Sequence, residues 1–269
     1  IGLGAIGQRH LRNLISLKKN NLEIFSFRTD QSKKKEVITE DLKLIKGSNI
    51  DEKFNIKTFS SLKEVLALKQ DITFICSPSS MHIEPSIQAL KAESHVFIEK
   101  PLSNSLEGIN KLEKIAKEKN KLVYVGFQMR FNPVVKKLKS LVENKKIGKI
   151  TSVRLEVSEY MPNFHKYEDY RNSYTSRKEL GGGVILSQIH ELDYLQWIFG
   201  KPNSVLAYGG KISDLEIDVE DSVTALISIN KKGEDGNIPI SLHMDFLQKN
   251  AKRKCIVYGT KGRIEADLI

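Results

Sequence analysis

Three glycines, in the run Gly2-Leu3-Gly4-Ala5-Ile6-Gly7, stand directly ahead of a stretch in which Ile6, Leu11, Leu14 and Ile15 recur at helical spacing. That spacing lets a chain turn tightly out of a strand, brings backbone N–H groups close to a ligand and packs the next helix on the sheet. The ligand such a turn suits is the pyrophosphate of a dinucleotide, held at the positive end of the helix. On this reading Gly2, Gly4, Ala5, Ile6 and Gly7 are cofactor-binding. The same pattern also describes a plain tight turn, so its weight depends on the segments that come after it.

Those segments alternate. Leu22 to Phe27, Ile72 to Cys76, Val96 to Ile98 and Leu122 to Val125 are strand-like runs with helical patterns between them, the order expected of a parallel sheet with helices on its faces. Pro85 fits the first turn of one such helix. Leu106, Ile109, Leu112, Ile115 and Ala116 mark another, with Asn104 and Glu107 as a variant of the capping box. The polar stretch Thr29 to Lys57 is helical in places and belongs on the surface.

Beyond about Phe127 the pattern changes. A helix over Pro133 to Val142 precedes a strand in which Val153, Leu155 and Val157 alternate with polar residues. A helix over Val184 to Phe199 and strands at Ser204 to Tyr208, Val223 to Ile229, Ile238 to Phe246 and Arg253 to Tyr258 complete it. The sequence therefore predicts an α/β Rossmann-type domain over residues 1–126, built on a parallel sheet, and an α+β domain over 127–269 on a mainly antiparallel sheet. Only Ile1 precedes the glycine run and the strand-like Arg263 to Ile269 breaks off, so the first strand and the C-terminal domain are both expected to be truncated.

A length of 269 residues agrees with two domains. The net charge of +10 comes from lysines scattered over helical faces such as Lys111 to Lys121, which describes a solvated surface and not a nucleic-acid stripe. An anionic ligand would still gain from that field. No apolar run reaches the ~18 residues of a membrane span and no basic leader is present, so a cytoplasmic protein without membrane contact is expected. Cys76 and Cys255 lie in no Cys-x-x-Cys or Cys/His cluster; they read as free thiols, and no metal site is expected.

Glu99-Lys100-Pro101 comes directly after the strand Val96-Phe97-Ile98. In an open parallel sheet, ligands sit beyond the carboxyl ends of the strands. The same rule brings Ser77 and Pro78, after the strand ending at Cys76, to the cofactor, with His82 closing that loop; a His before a helix also suits capping or packing. After the second strand stands Arg28, where a carboxylate would grip the ribose of NAD, with Asp30 just beyond. An Arg there pairs with the 2'-phosphate of NADP, which favours NADP over NAD; the alternative is an exposed loop Arg.

Taken together, the glycine run, the Ser77-Pro78 to His82 loop, Glu99-Lys100-Pro101, Gly126-Phe127-Gln128-Met129-Arg130-Phe131-Asn132-Pro133 and Gly181-Gly182-Gly183 through His190 and Asp193 resemble the Gfo/Idh/MocA family of sugar-type oxidoreductases. The likeness runs the length of the chain. It implies a nicotinamide cofactor, with Lys100 beside the reacting carbon and Glu99 and Pro101 shaping its turn. Oxidising a secondary alcohol needs a base for the hydroxyl proton while hydride leaves carbon, and the reverse needs an acid; a solvated lysine is too weakly acidic to serve both directions, but burial beside a cationic ring lowers its pKa. His190 is then the partner of the substrate oxygen and a proton relay, and Gln128 and Arg130 are substrate-binding candidates.

One departure stands out. Many family members place an Asp one helical turn before the His, whereas this turn reads Leu186-Ser187-Gln188-Ile189 and the interval from the triple Gly is one residue shorter. Either Gln188 or Ser187 takes over substrate binding, or catalysis rests on Lys100 and His190 alone; Asp193 orients the helix. The Tyr-rich loop from Tyr160 to Tyr174 resembles the substrate segment of members from bacterial surface-sugar pathways, with Tyr170 and Arg171 suited to an anionic sugar ring. Its alternative is a packing loop. The expected activity is NAD(P)-dependent hydride transfer on a sugar, sugar acid or nucleotide sugar, by a homo-oligomer formed through the sheet of the second, substrate-binding domain. A non-catalytic ligand sensor on the same fold is the alternative, favoured by the missing Asp and opposed by the intact Lys100 and His190.

Overall fold

The computed structural model describes residues 1–18, 22–29, 35–230 and 236–269; Asp30 lies outside the described residues. The chain divides into two compact units, Ile1–Gly126 with His165–Glu168, and Phe127–Phe164 with Asp169–Ile269.

The first unit runs α1 (Ala5–Lys18), β1 (Phe25–Phe27), β2 (Val37–Ile38), β3 (Leu44–Ile45), α2 (Ile50–Phe54), β4 (Lys57–Phe59), α3 (Leu62–Ala67), β5 (Ile72–Ile75), α4 (Ile83–Lys91), β6 (His95–Ile98), α5 (Ile109–Glu118) and β7 (Val123–Val125). β5, β6 and β7 pair in parallel, with Ile75 opposite Ile98 and Ile98 opposite Val125. β1 pairs in parallel with β4, and Ile1 runs beside β5, its carbonyl accepting from Cys76 N at 2.8 Å. Parallel strands are buried by the helices of their crossovers, and α4 contributes Ala89 and Leu90, which like Ile75 and Ile98 have no exposed surface, to a core shared with α3 and α5. Each large apolar side chain so buried contributes about 1.5–3 kcal/mol.

The expected capping box at Asn104 and Glu107 does not form. Residues 103–107 make local turns through the Ser103 and Ser105 hydroxyls, which accept from Ser105 N and Glu107 N. α5 starts only after Gly108, which has φ 76° and where a Cβ would stand 2.7 Å from Ile83 Cγ2. Leu106 is left exposed.

The second unit contains α6 (Pro133–Glu143), β8 (Ile150–Ser158), α7 (Val184–Ser187), α8 (His190–Phe199), β9 (Pro202–Gly210), β10 (Ser222–Asn230), β11 (Asn237–Asp245), β12 (Lys252–Gly259) and β13 (Gly262–Asp267). Its six strands lie in the order β13-β12-β8-β11-β10-β9. All neighbours are antiparallel except β8 and β11. Val153, Leu155 and Val157 alternate onto the covered face, as their spacing predicts, and meet Val135 and Leu138 of α6 and Tyr194, Leu195 and Phe199 of α8 in one core. The other face is open, and β9 is exposed along nearly its whole length.

The helix expected over Val184 to Phe199 is two helices. Its ladder is interrupted at Gln188, φ −102° and ψ 29°, where the side chain is drawn toward Glu159 and the Asp245 carbonyl. Among the described residues no helix is long and apolar enough to cross a membrane.

Candidate functional site

In the first unit the glycine turn separates into two kinds of position. Gly2 has φ 84°, and a Cβ there would stand 2.5 Å from the Cys76 carbonyl. A Cβ on Gly7 would overlap the carbonyl oxygen of Gly2. These two glycines are demanded by the chain's own packing, of helix on turn and turn on β5. Gly4 is not: nothing lies within 4 Å of where its Cβ would be. The space over Gly4 is the approach a pyrophosphate needs, and α1, which starts at Ala5 and Ile6, carries no acidic residue in its first turn to neutralise its positive end. The residues present fit a dinucleotide.

Buried Gln8 fastens this turn to its surroundings. Its amide nitrogen donates to Leu3 O and Glu36 O at 3.2 and 2.9 Å, and its oxygen accepts from Ile38 N at 2.7 Å.

Arg28 comes after β1, as the sequence predicts, but its guanidinium is turned onto Asp51, with a further bond to Thr58 Oγ1 at 3.1 Å. One terminal nitrogen is thereby engaged, while Nε and the other terminal nitrogen have no hydrogen-bond partner among the described residues. Ser77 and Pro78 lie just past β5, where Ser77 Oγ donates to Met81 O at 3.2 Å. His82 is buried, and its two ring nitrogens lie 2.8 Å from Pro101 O and Ser77 O, contacts that agree with the packing alternative. The carboxylate of Glu99 is likewise engaged, Oε1 lying 2.6 Å from His10 Nε2 and Oε2 accepting from Lys100 N at 3.1 Å. Lys100 itself is half-buried at the carboxyl end of β6. Beside this turn, burial pushes the Cys76 thiol up to about 12, with the Glu99 charge adding to the effect.

In the second unit the triple glycine is explained by close approach. A side chain on Gly182 would meet the Thr175 carbonyl, and one on Gly183, φ 106°, would overlap the Glu220 carboxylate. Glu220 accepts Val184 N on its carbonyl at 3.0 Å and Ile185 N on Oε1 at 3.2 Å, so it caps α7 from a distant loop. His190 opens α8, is buried, and meets the Phe127 ring edge-on at 6.2 Å. Gln188 is buried too; its amide nitrogen lies 3.5 Å from Glu159 Oε2 and 3.4 Å from Asp245 O, and its oxygen Oε1 has no hydrogen-bond partner among the described residues.

Three substrate candidates are placed differently from expectation. Arg130 holds Asp193 with two bonds of 2.9 and 2.6 Å and lies over the Phe127 and Trp197 rings, which makes it a brace for α8. Arg171 is gripped by Asp169 and by Glu216 at 3.0 Å, and the Asp169 carboxylate before all raises its pKa further. Its charge is matched by these two carboxylates. Tyr170 packs half-buried against the core and accepts Glu216 N at 3.3 Å. Gln128 is exposed in the short helical turn Gln128–Phe131.

Gln8, His10 and Glu220 escape sequence reasoning. Their partners stand 30, 89 and 35 residues away in the chain. His10 alone left a signal, one helical turn before Leu14 on the apolar face of α1.

A family model described as the oxidoreductase family with an NAD-binding Rossmann fold matches residues 1–127, and the Gfo/Idh/MocA C-terminal domain model matches residues 135–265. The myo-inositol 2-dehydrogenase of Thermotoga maritima is 30% identical over 273 residues, covering 99% of this chain and 74% of the relative. The 2,7-anhydro-N-acetylneuraminate hydratase of Escherichia coli is 31% identical over 169 residues, covering 62% and 44%. Among solved structures, the WlbA dehydrogenase of Chromobacterium violaceum, in complex with NADH and UDP-GlcNAcA, aligns with a TM-score of 0.81 at 26% identity over 98% of this chain and 71% of that one. With both halves matched in order and a glycine turn that leaves room for a dinucleotide, the chain belongs to the Gfo/Idh/MocA family of NAD(P)-dependent oxidoreductases.

Proposed function

We propose that this protein transfers hydride between a nicotinamide dinucleotide and a secondary alcohol, or its ketone, on a polyhydroxylated ring of the sugar or inositol type. The observation that carries this reading is Lys100, half-buried at the carboxyl end of β6 in the unit that holds the open Gly4 turn. The bound nicotinamide supplies the hydride acceptor or donor. Lys100 takes the hydroxyl proton in oxidation and returns one to the carbonyl oxygen in reduction. In the second unit, His190 and Gln188, whose Oε1 is without a hydrogen-bond partner among the described residues, are the groups we assign to hydrogen-bonding the hydroxyls of the ring.

NAD is the cofactor favoured, because the Arg28 charge is spent on Asp51. A neutral ring is favoured over an acidic one, because the Arg171 charge is spent on Asp169 and Glu216. The relative named as a myo-inositol dehydrogenase supports the same substrate class. Association through the open sheet face belongs to this reading.

The test is a panel of inositols, sugars and nucleotide sugars with NAD and NADP, followed by nicotinamide absorbance, with Lys100→Met alongside. Turnover should fall at least ~100-fold in the variant, the usual scale for a positioned acid or base, while NAD binding persists. Near-normal turnover in Lys100→Met would remove the lysine from the mechanism, and turnover without net nicotinamide change would point to a reaction other than a dehydrogenation.

A further inference from the structure

We propose that His10 is a positioning residue for Lys100, acting through Glu99, so that the helix which receives the dinucleotide also braces the proton-transfer turn. The inference rests on the proton-transfer role proposed for Lys100. One carboxylate makes the bridge: Oε1 of Glu99 lies 2.6 Å from His10 Nε2, and Oε2 accepts the Lys100 backbone N–H at 3.1 Å. The two side chains are 19% and 9% exposed, so water competes little for these bonds. Hydrogen bonds to a carboxylate are the strong ones.

The bridge is aimed by packing. The His10 ring stands edge-on to Phe97, centroids 4.8 Å apart, and 5.7 Å from Phe74. Phe97 precedes Glu99 by two residues, so the contact that orients His10 also fixes the end of β6. β7 is followed by Gly126, where a Cβ would press to 3.1 Å from the Phe97 ring and 3.3 Å from Glu99 Oε1. The missing side chain at 126 leaves the carboxylate its place. Because Pro101 has no N–H, the Lys100 amide is the one backbone donor of the Lys100-Pro101 pair, and Glu99 holds it.

His10 lies on α1, whose first turn is the pyrophosphate end. Whatever steadies α1 therefore steadies the turn of Lys100, through two hydrogen bonds and one carboxylate. A surface histidine paired at random would not sit between the cofactor helix and the residue that moves the proton.

Hydrogen exchange of the Lys100 amide in the full chain tests this without a known substrate. His10→Phe keeps the ring against Phe97 and removes the donor; His10→Gln loses the ring and keeps an N–H. The first should speed exchange of the Lys100 amide at least ~10-fold, roughly one hydrogen bond's worth, with β12 and α8 unchanged, and the second should stay within ~3-fold of the parent. Unchanged exchange in His10→Phe, or an equal rise in both variants, overturns the proposal. If His10→Phe does not fold, Glu99→Gln weakens the same bridge from its other end, and failure to speed the Lys100 amide there overturns it equally. Lys100→Met keeps the two readings apart: retained turnover in that variant removes the lysine's chemistry, whereas unchanged exchange in His10→Phe removes only the brace.

Discussion

Arg253 holds Glu191 with both arms of its guanidinium, Nε to Oε1 at 2.7 Å and a terminal nitrogen to Oε2 at 3.0 Å, and Glu191 has no exposed surface at all. Burial pushes the Glu191 carboxyl up while Arg253 pulls it down, and the first effect wins. The pair fastens α8, one residue after His190, to β12. Arg253→Met leaves the carboxyl without its cation and should cost about 3–5 kcal/mol in urea unfolding, and adding Glu191→Gln should recover much of that. A loss below that range, with no gain from the second change, would show that the pair does not hold the helix.

Arg28 is predicted to matter for stability and not for choosing between nicotinamides. Its partner Asp51 lies on α2, so Arg28→Met should lower stability by about 1–3 kcal/mol, the cost of an unpaired polar group in a half-buried site. NAD and NADP dissociation constants, measured by titration, should change by the same factor. A selective loss of NADP would restore the 2'-phosphate reading.

Gly183→Ala is expected to be severe for so small a change. The added methyl falls on the Glu220 carboxylate, and φ 106° is strained for any other residue. A thermal midpoint lowered by several degrees, equivalent to about 1–3 kcal/mol, should result. An unchanged midpoint would mean that α7 and its cap move aside freely.

Both cysteines should resist alkylation in the native protein at neutral pH, since burial pushes each thiol up to about 12. In the unfolded chain the thiols ionise at their ordinary value of 9.0, so the unfolded state loses protons first as pH rises. The stability tied to these groups is whole below pH 9 and drains away between 9 and 12. Denaturant unfolding across that window should show the decline, and a Cys76→Ser, Cys255→Ser double variant should show a shallower one.

On the open face of the second sheet, Leu206, Tyr208 and Leu226 are 72%, 84% and 60% exposed, with Leu206 opposite Leu226 in the pairing of β9 and β10. Apolar side chains grouped in this way are characteristic of an association surface. Leu226→Glu should shift the sedimentation coefficient toward the monomer and leave the far-ultraviolet spectrum alone. A parent chain that is already monomeric at assay concentrations would end the proposal of a homo-oligomer.

How far the sequence could be read depended on the distance between partners. Periodic positions such as Val153, Leu155 and Val157 announce their face locally, because burial on a strand repeats every second residue. The split between α7 and α8 is invisible in the apolar pattern, and the groups that the Gln188 side chain meets at the break, Glu159 and Asp245, lie far from it in the chain. Arg28 reads as an anion receptor until Asp51 is known to face it. Arg171 is the opposite case, for Asp169 stood two residues away and its pull on the guanidinium could have been weighed from the sequence alone.

The empty space over Gly4 also has a consequence for genetics. Gly2 and Gly7 answer to folding, so their substitution should reduce the amount of protein in a cell, whereas an alanine at Gly4 meets nothing and leaves a chain that accumulates normally. A mutational survey scored by abundance would pass over position 4 as tolerant, and one scored by growth on the substrate would mark it as essential. The gap between the two maps at that position would register the ligand's footprint without any ligand in hand.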